Sequence, residues 1–347
     1  MFPLTPQRAV HLLKNWRDVL LELRLRAGKG YRPAAPLSFA LDRQRLEGAH
    51  IEWPARYAYW ATIHWISSLK LGFAAHLPVD SVEVPVKSSG LEPVPVTFQL
   101  VLGGKSYPVT IDYGDYMDQI FEDRLETSLV YFKMQYRRTG YADVTRQHAK
   151  ILPGGYVNGH RYLHKYLPYM RAYGARTGFT TDVYGRFGLT FAREIREKAH
   201  QLLSEQKHFR YRGGLVKRRY IHFLRECTEA KICIDLPSNS DFCYRLPDYL
   251  ALGCCVVAPQ HRTRMHVDLE DRKNIIYVSR DLSDLVEVCR YYLAHDEERS
   301  AIARAASLYF DQYLYHEQLA AYYLYECLAA AAEGRQEDRQ PRILTRG

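Results

Sequence analysis

The chain lacks several features that would assign it to a class at a glance. Among its 347 residues nowhere do about 18 apolar ones run uninterrupted, so no transmembrane span is expected. The most apolar segment, Tyr57 to Ala75, contains His64 and Lys70 and reads as a packed helix. The start, Met1-Phe-Pro-Leu-Thr-Pro-Gln-Arg8, has no apolar core after a basic opening, so no signal peptide is expected. Cysteine is sparse and odd in number, at seven, and no spacing resembles a zinc site. Cys233, Cys254 and Cys255 fall in apolar runs, where reduced cysteine acts as a small apolar residue. That use implies a reducing compartment, the cytoplasm. No Asp-x-Asp pair occurs. Gly104-Lys105-Ser106 ends like a phosphate-binding loop, but Gln99 stands where that motif needs glycine. Proline and glycine are not in excess, no internal repeat is visible, and disorder is expected only at the ends.

What is present begins with charge. Lysine and arginine number 48 against 39 aspartate and glutamate, a net +9. The balance favours an acidic partner such as a nucleotide diphosphate, an anionic lipid surface or nucleic acid; spread evenly, it is an ordinary soluble surface. Residues 6–26 alternate at helical spacing, with Val10, Leu13, Trp16, Leu20 and Leu23 on one face and Arg8, Lys14, Arg17 and Arg24 elsewhere. Such a helix packs on its own protein or lies on an anionic membrane surface.

A second helix is expected over about 55–73. Val94 to Leu102 and Lys105 to Tyr113 read as two strands joined by a Gly103-Gly104 hairpin turn. Asp112, Asp115 and Asp118 open a helix to about Thr127, Leu129 to Met134 forms a strand, and Ile151 to Val157 another. Tyr162 to Tyr173 is expected as a helix broken by Pro168, followed by a linker, Gly174 to Gly178. We place a first domain at 1–170, a second at 179–332 and a disordered, charged tail at 333–347.

The second half alternates regularly. Strands are expected at Thr181–Tyr184, His208–Tyr211, Ile232–Ile234, Cys254–Ala258 and Asn274–Val278. Helices are expected from Thr190 to about Glu205, Lys217 to Glu229, Asp281 to Ala294 with Asp281 as N-cap, and Glu297 to about Ala332, broken near Tyr313–His316. Such strand–helix units imply a doubly wound parallel sheet. Ligands of such sheets sit beyond the carboxyl ends of the strands. The richest loop there runs Asp235-Leu-Pro-Ser-Asn-Ser-Asp241 into a helix bearing Arg245 and Asp248. An arginine opening a helix suits a phosphate, and a carboxylate one turn on suits ribose hydroxyls. The bland alternative is an Arg–Asp pair on a solvated helix.

This stretch resembles the nucleotide-sugar site of family-1 (group 1) glycosyltransferases of the GT-B fold. Those enzymes carry a carboxylate, two residues, then Ala-x-Gly before an apolar strand and a proline; here that reads Asp248-Tyr-Leu-Ala251-Leu-Gly253 and on to Pro259. Arg245-Leu246 also matches the spore-maturation and Rumi-like branches, and the likeness covers about 179–330. It implies a two-domain GT-B-like α/β fold with a smaller, less regular N-terminal domain. It also implies transfer of a sugar from a nucleotide diphosphate donor to a glycan, lipid-linked or protein acceptor, with no separate cofactor and no metal.

By the same resemblance Arg186 contacts the diphosphate, and Asn239, Ser240, Asp241, Arg245 and Asp248 complete the donor site. Many such enzymes carry two glutamates seven residues apart. Here the second position is Asp248 and the first is Ser240, with Asp241 one place off. The base for the acceptor hydroxyl would come from the first domain, where Asp112, Asp115 and His160 are candidates. Two other readings stand beside transfer. One is a GT-B-like protein that binds nucleotide or glycan without transfer. The other is nucleic-acid binding through Arg210-Tyr-Arg212 and Lys217-Arg-Arg219, which no nucleic-acid motif supports. The localisation expected is cytoplasmic, and peripheral contact with the inner face of a membrane is compatible with it.

Overall fold

The computed structural model describes residues 16–59, 61–84, 94–216 and 218–333. Val10 and Leu13 of the first helix and the tail after 333 lie outside them. The described chain forms two sheets, a six-stranded mixed one followed by a five-stranded parallel one.

The first sheet uses strands β1 (His50–Pro54), β2 (Val79–Val82), β3 (Val96–Leu102), β4 (Lys105–Asp112), β5 (Val130–Lys133) and β6 (Ile151–Pro153), in the order β2-β1-β3-β4-β5-β6. The Gly-Gly hairpin stands as expected: Leu102 pairs with Lys105, and Gly103 and Gly104 have φ of 55° and 77°, the left-handed pair a tight turn needs. Sequence reading missed β1 and β2, which pair in parallel through helix α2 (Thr62–Ala74). Expected helix content after Asp112 shrinks to α3 (Glu122–Thr127), because Asp112 and Asp115 turn their carboxylates to other partners.

Helix α1 spans Trp16–Ala27 and α4 spans Leu163–Thr177. Pro168 does not break α4, and the proposed Gly174 linker is its last turns. The His164 carbonyl, which residue 168 would bond if it had an N–H, instead accepts the Tyr31 N–H at 2.7 Å.

The second sheet contains β7 (Thr181–Arg186), β8 (Tyr211–Gly214), β9 (Ala230–Ile234), β10 (Cys255–Pro259) and β11 (Ile276–Val278), in the order β11-β10-β9-β7-β8. Helices α5 (Arg193–Glu205), α6 (Tyr220–Thr228) and α7 (Arg245–Leu252) cross between its strands, and α8 (Leu285–Ala294) and α9 (Asp296–Tyr309) follow. Alternation sorts the two faces. Val183, Ile232, Ile234, Cys255 and Val257 meet α5 and α8. Tyr184, Cys233, Val256 and Ala258 meet α6 and α7. Strand β8 lies three residues later than expected, because Gly213 and Gly214 belong to it. A Cβ on Gly213 would lie 2.1 Å from the Gly185 carbonyl, so the strands approach only with glycine there. Helix α8 starts at Leu285 rather than Asp281, whose carboxylate closes its own turn on the Ser283 N–H.

A π-turn, Phe310–Leu314, then redirects the chain into α10 (His316–Glu333), which packs on the first sheet beside α2. Tyr323 stacks on Phe132 of β5, with centroids 3.8 Å apart. Gly72 makes the helix crossing possible, since a Cβ there would lie 2.0 Å from the His316 carbonyl. One apolar core therefore runs through both sheets.

Candidate functional site

The second sheet reverses its winding between β7 and β9, the position where an α/β sheet opens a crevice. A cavity of about 460 Å³ lies beyond those strand ends. Its lining comes from both sheets: Asp115 and Tyr156 from the first side, and Arg186, Arg196, Arg218, Tyr220, Arg245 and Asp248 from the second, with Phe187, Phe191 and Tyr244 as aromatic walls. Gly159 presses on the Tyr244 ring, where a Cβ would stand 2.7 Å from Cδ1.

Four guanidinium groups reach the cavity, each held differently. Arg186, at the end of β7, grips Glu226 through Nε at 2.7 Å and Nη2 at 3.3 Å. Glu226 also accepts from Tyr184 at 3.0 Å and Arg212 at 3.1 Å, and these cations hold its carboxyl below its usual pKa despite burial. Arg196 donates to the Pro237 carbonyl at 3.1 and 2.6 Å and to the Gly188 carbonyl at 2.5 Å. It thereby fixes the loops after β7 and β9. Arg245 donates to the Leu236 carbonyl at 3.1 Å, and its Nε lies 3.6 Å from Asp235. Both Asp235 oxygens are buried without a hydrogen bond, and burial pushes this carboxyl up to about 6 against the pull of Arg245 and Arg196. Arg218 is about half exposed and only 4.0 Å from Glu226, the loosest tie of the four.

Asp248 sits one turn into α7, 4% exposed. The Tyr220 hydroxyl donates to it at 2.9 Å. Burial drives its carboxyl up to about 8, opposed by Tyr220 and Arg245. A carboxyl that leans to the neutral form beside a phenol can both donate to and accept from a hydroxyl-rich ligand.

The candidates named from sequence divide sharply. Arg186, Arg245, Asp248 and Asp115 come together around the cavity. Asp115 receives Ser238 Oγ at 2.7 Å, the Asn239 N–H at 2.9 Å and Gln135 Nε2 at 2.9 Å. Desolvation raises its pKa over these opposing bonds. Asn239 is exposed, meets Asp115 through its backbone and does not line the cavity. Ser240 and Asp241 are buried elsewhere. Ser240 Oγ accepts the Met117 N–H at 2.8 Å, a tie to the first sheet's side. Asp241 accepts the Thr263 N–H at 3.1 Å and pairs with Arg280 at 3.1 Å, holding the loop after β10. Asp112 is sealed in a 2.7 Å pair with Lys133, with Tyr131 at 2.6 Å on the same oxygen. That leaves it no path to a substrate. His160 stacks on Tyr220 at 4.0 Å behind the cavity wall, and burial beside Arg26 lowers its pKa to about 4.

Sequence reading missed Arg196, Arg218, Tyr220 and the aromatic walls. A signal existed for Arg196, an arginine in register with Ala199 and Leu203 on the buried stripe of α5. No cluster of metal-ligating side chains occurs among the described residues, and none of their helices is long and apolar enough to cross a membrane. All seven cysteines are buried.

Comparison with known families places this geometry. Residues 170–326 match a family model described as glycosyl transferase-like. The match covers the whole second sheet, the helices that cross between its strands and the four cavity arginines, and with the first sheet the architecture is a two-domain GT-B-like α/β fold. It supports glycosyl transfer as the general function. No curated protein matches the chain.

Proposed function

We propose that the cavity binds a nucleotide diphosphate sugar and that the protein transfers the sugar to a hydroxyl of a carbohydrate-bearing or lipid-linked acceptor. The observation that carries this reading is the convergence of Arg186, Arg196, Arg218 and Arg245 with the Asp248–Tyr220 pair around one crevice. A diphosphate leaving group gains negative charge as the bond from the sugar carbon to its oxygen breaks, and cations fixed beforehand stabilise that charge without reorganising. Asp248 and Tyr220 suit the ribose hydroxyls. The aromatic walls suit the flat faces of base and sugar. Asp115, reaching in from the first side, is the group assigned to the acceptor proton.

Thermal shift with a panel of nucleoside diphosphates tests the donor site. One of them should stabilise the protein, by about 2.7 kcal/mol at a hundredfold excess over Kd. If none shifts the transition, the donor-site reading fails. Binding without transfer is the second reading, favoured by one observation: the Asp115 carboxylate already accepts three hydrogen bonds. Release of free sugar from the stabilising nucleotide sugar separates the two.

A further inference from the structure

We infer that the outer face of α1 is a docking surface for an anionic lipid bilayer. This rests on α1 alone and stands or falls apart from the donor-site reading. Trp16, Leu20 and Leu23 are 52%, 54% and 56% exposed, unusual for three large apolar residues on one short helix. Their spacing of four and three residues puts them in one row. Arg17 and Arg24 are exposed alongside that row, with the Arg17 guanidinium 5.4 Å from the Trp16 ring centroid.

The opposite face fixes this orientation. Asp18 pairs with Arg225 at 3.0 Å and His222 at 3.1 Å, Glu22 with Arg219 at 2.9 Å, and Arg26 Nε donates to the Tyr166 hydroxyl at 2.8 Å. Leu21 and Leu25 pack on the core. Every acidic residue of α1 is thus turned inward, and the outward face carries only apolar and cationic groups. That charge complement selects an anionic bilayer over a zwitterionic one: tryptophan and leucine enter the headgroup boundary and the arginines meet lipid phosphates. The position is apt, because α1 docks on α6, whose Tyr220 and Phe223 line the cavity.

The test uses the full chain with sedimented vesicles of phosphatidylcholine, alone or mixed with phosphatidylglycerol. The protein should bind the anionic vesicles, and more weakly as salt rises. Leu20→Glu with Leu23→Glu should lower the partition at least roughly tenfold with an unchanged unfolding transition, since both side chains are exposed. Arg17→Gln with Arg24→Gln should weaken binding and flatten its salt dependence. Absence of binding by the parent, or undiminished binding by the leucine variant, overturns the inference. So does a dimer that the leucine variant dissolves, because a second copy would then cover the row. Binding that appears only after removal of residues 2–15 overturns it too, because the chain's own start would be the occupant.

Discussion

The two sheets treat the carboxyl ends of their strands in opposite ways. At the end of β4 and β5 the first sheet buries Asp112 against Lys133, both essentially without exposure, and the pair serves the fold alone. At the end of β7 and just after β9 the second sheet also places acid and base, Glu226 with Arg186 and Asp235 with Arg245, but each arginine opens onto a cavity. The same chemical pair is structural where apolar residues close over it and available where a crevice is left. Ion pairing by itself therefore says little about function; the space beside the pair decides.

The sharpest way to break this contrast is Lys133→Met. It strands a buried carboxylate and should cost about 3–5 kcal/mol in denaturant unfolding, where an exposed ion pair would cost less than about 1. The next test lies in the second sheet. The Asp248 carboxyl is raised from 3.8 to about 8 in the folded protein, so the folded state binds the extra proton. Stability should fall as pH rises from about 4 to 8, by up to about 1.4 kcal/mol per pH unit, and Asp248→Asn should remove that slope. Gly72→Ala probes the tie between the two halves. Its Cβ would meet the His316 carbonyl, and parting α2 from α10 should cost about 1–3 kcal/mol in thermal or chemical unfolding. The smallest effect on the fold belongs to Arg218→Ala. Melting should be unchanged, while titration should show nucleoside diphosphate affinity lower by about 1.5–3 kcal/mol, the worth of one charge-assisted hydrogen bond. Lost stability there would make Arg218 a partner of Glu226 rather than of the ligand.

The second sheet was legible because its signals are local. Ile232-Cys-Ile234 and Cys255-Val-Val-Ala258 announce themselves as buried parallel strands, and Gly253 stops α7 with a positive φ. Arg245 and Asp248 could be chosen because one helical turn places both at the crevice. The first sheet was read only where a hairpin kept its partners adjacent. Strands β1 and β2 are short, joined through α2, and buried in part by residues some 250 positions later, which no local window sees. The loop after β9 was only partly legible for the same reason. Ser240 and Asp241 differ from Asp248 only in what the fold brings to them: Met117 from one side, Arg280 from the other. Asp112 and Asp115 lie three residues apart and part company because Lys133 lies beneath one and the loop after β9 beside the other.

The return of α10 has a consequence for how the protein is made. A ribosome emits the first sheet early, yet the surface around Phe73 and Phe132 has no lid until residues 316–333 follow. Until then the nascent chain carries an open apolar face, the kind of surface that makes a partly folded chain prone to aggregate. A stop codon just before His316 would leave the second sheet and its arginines intact in sequence, and should still yield insoluble protein.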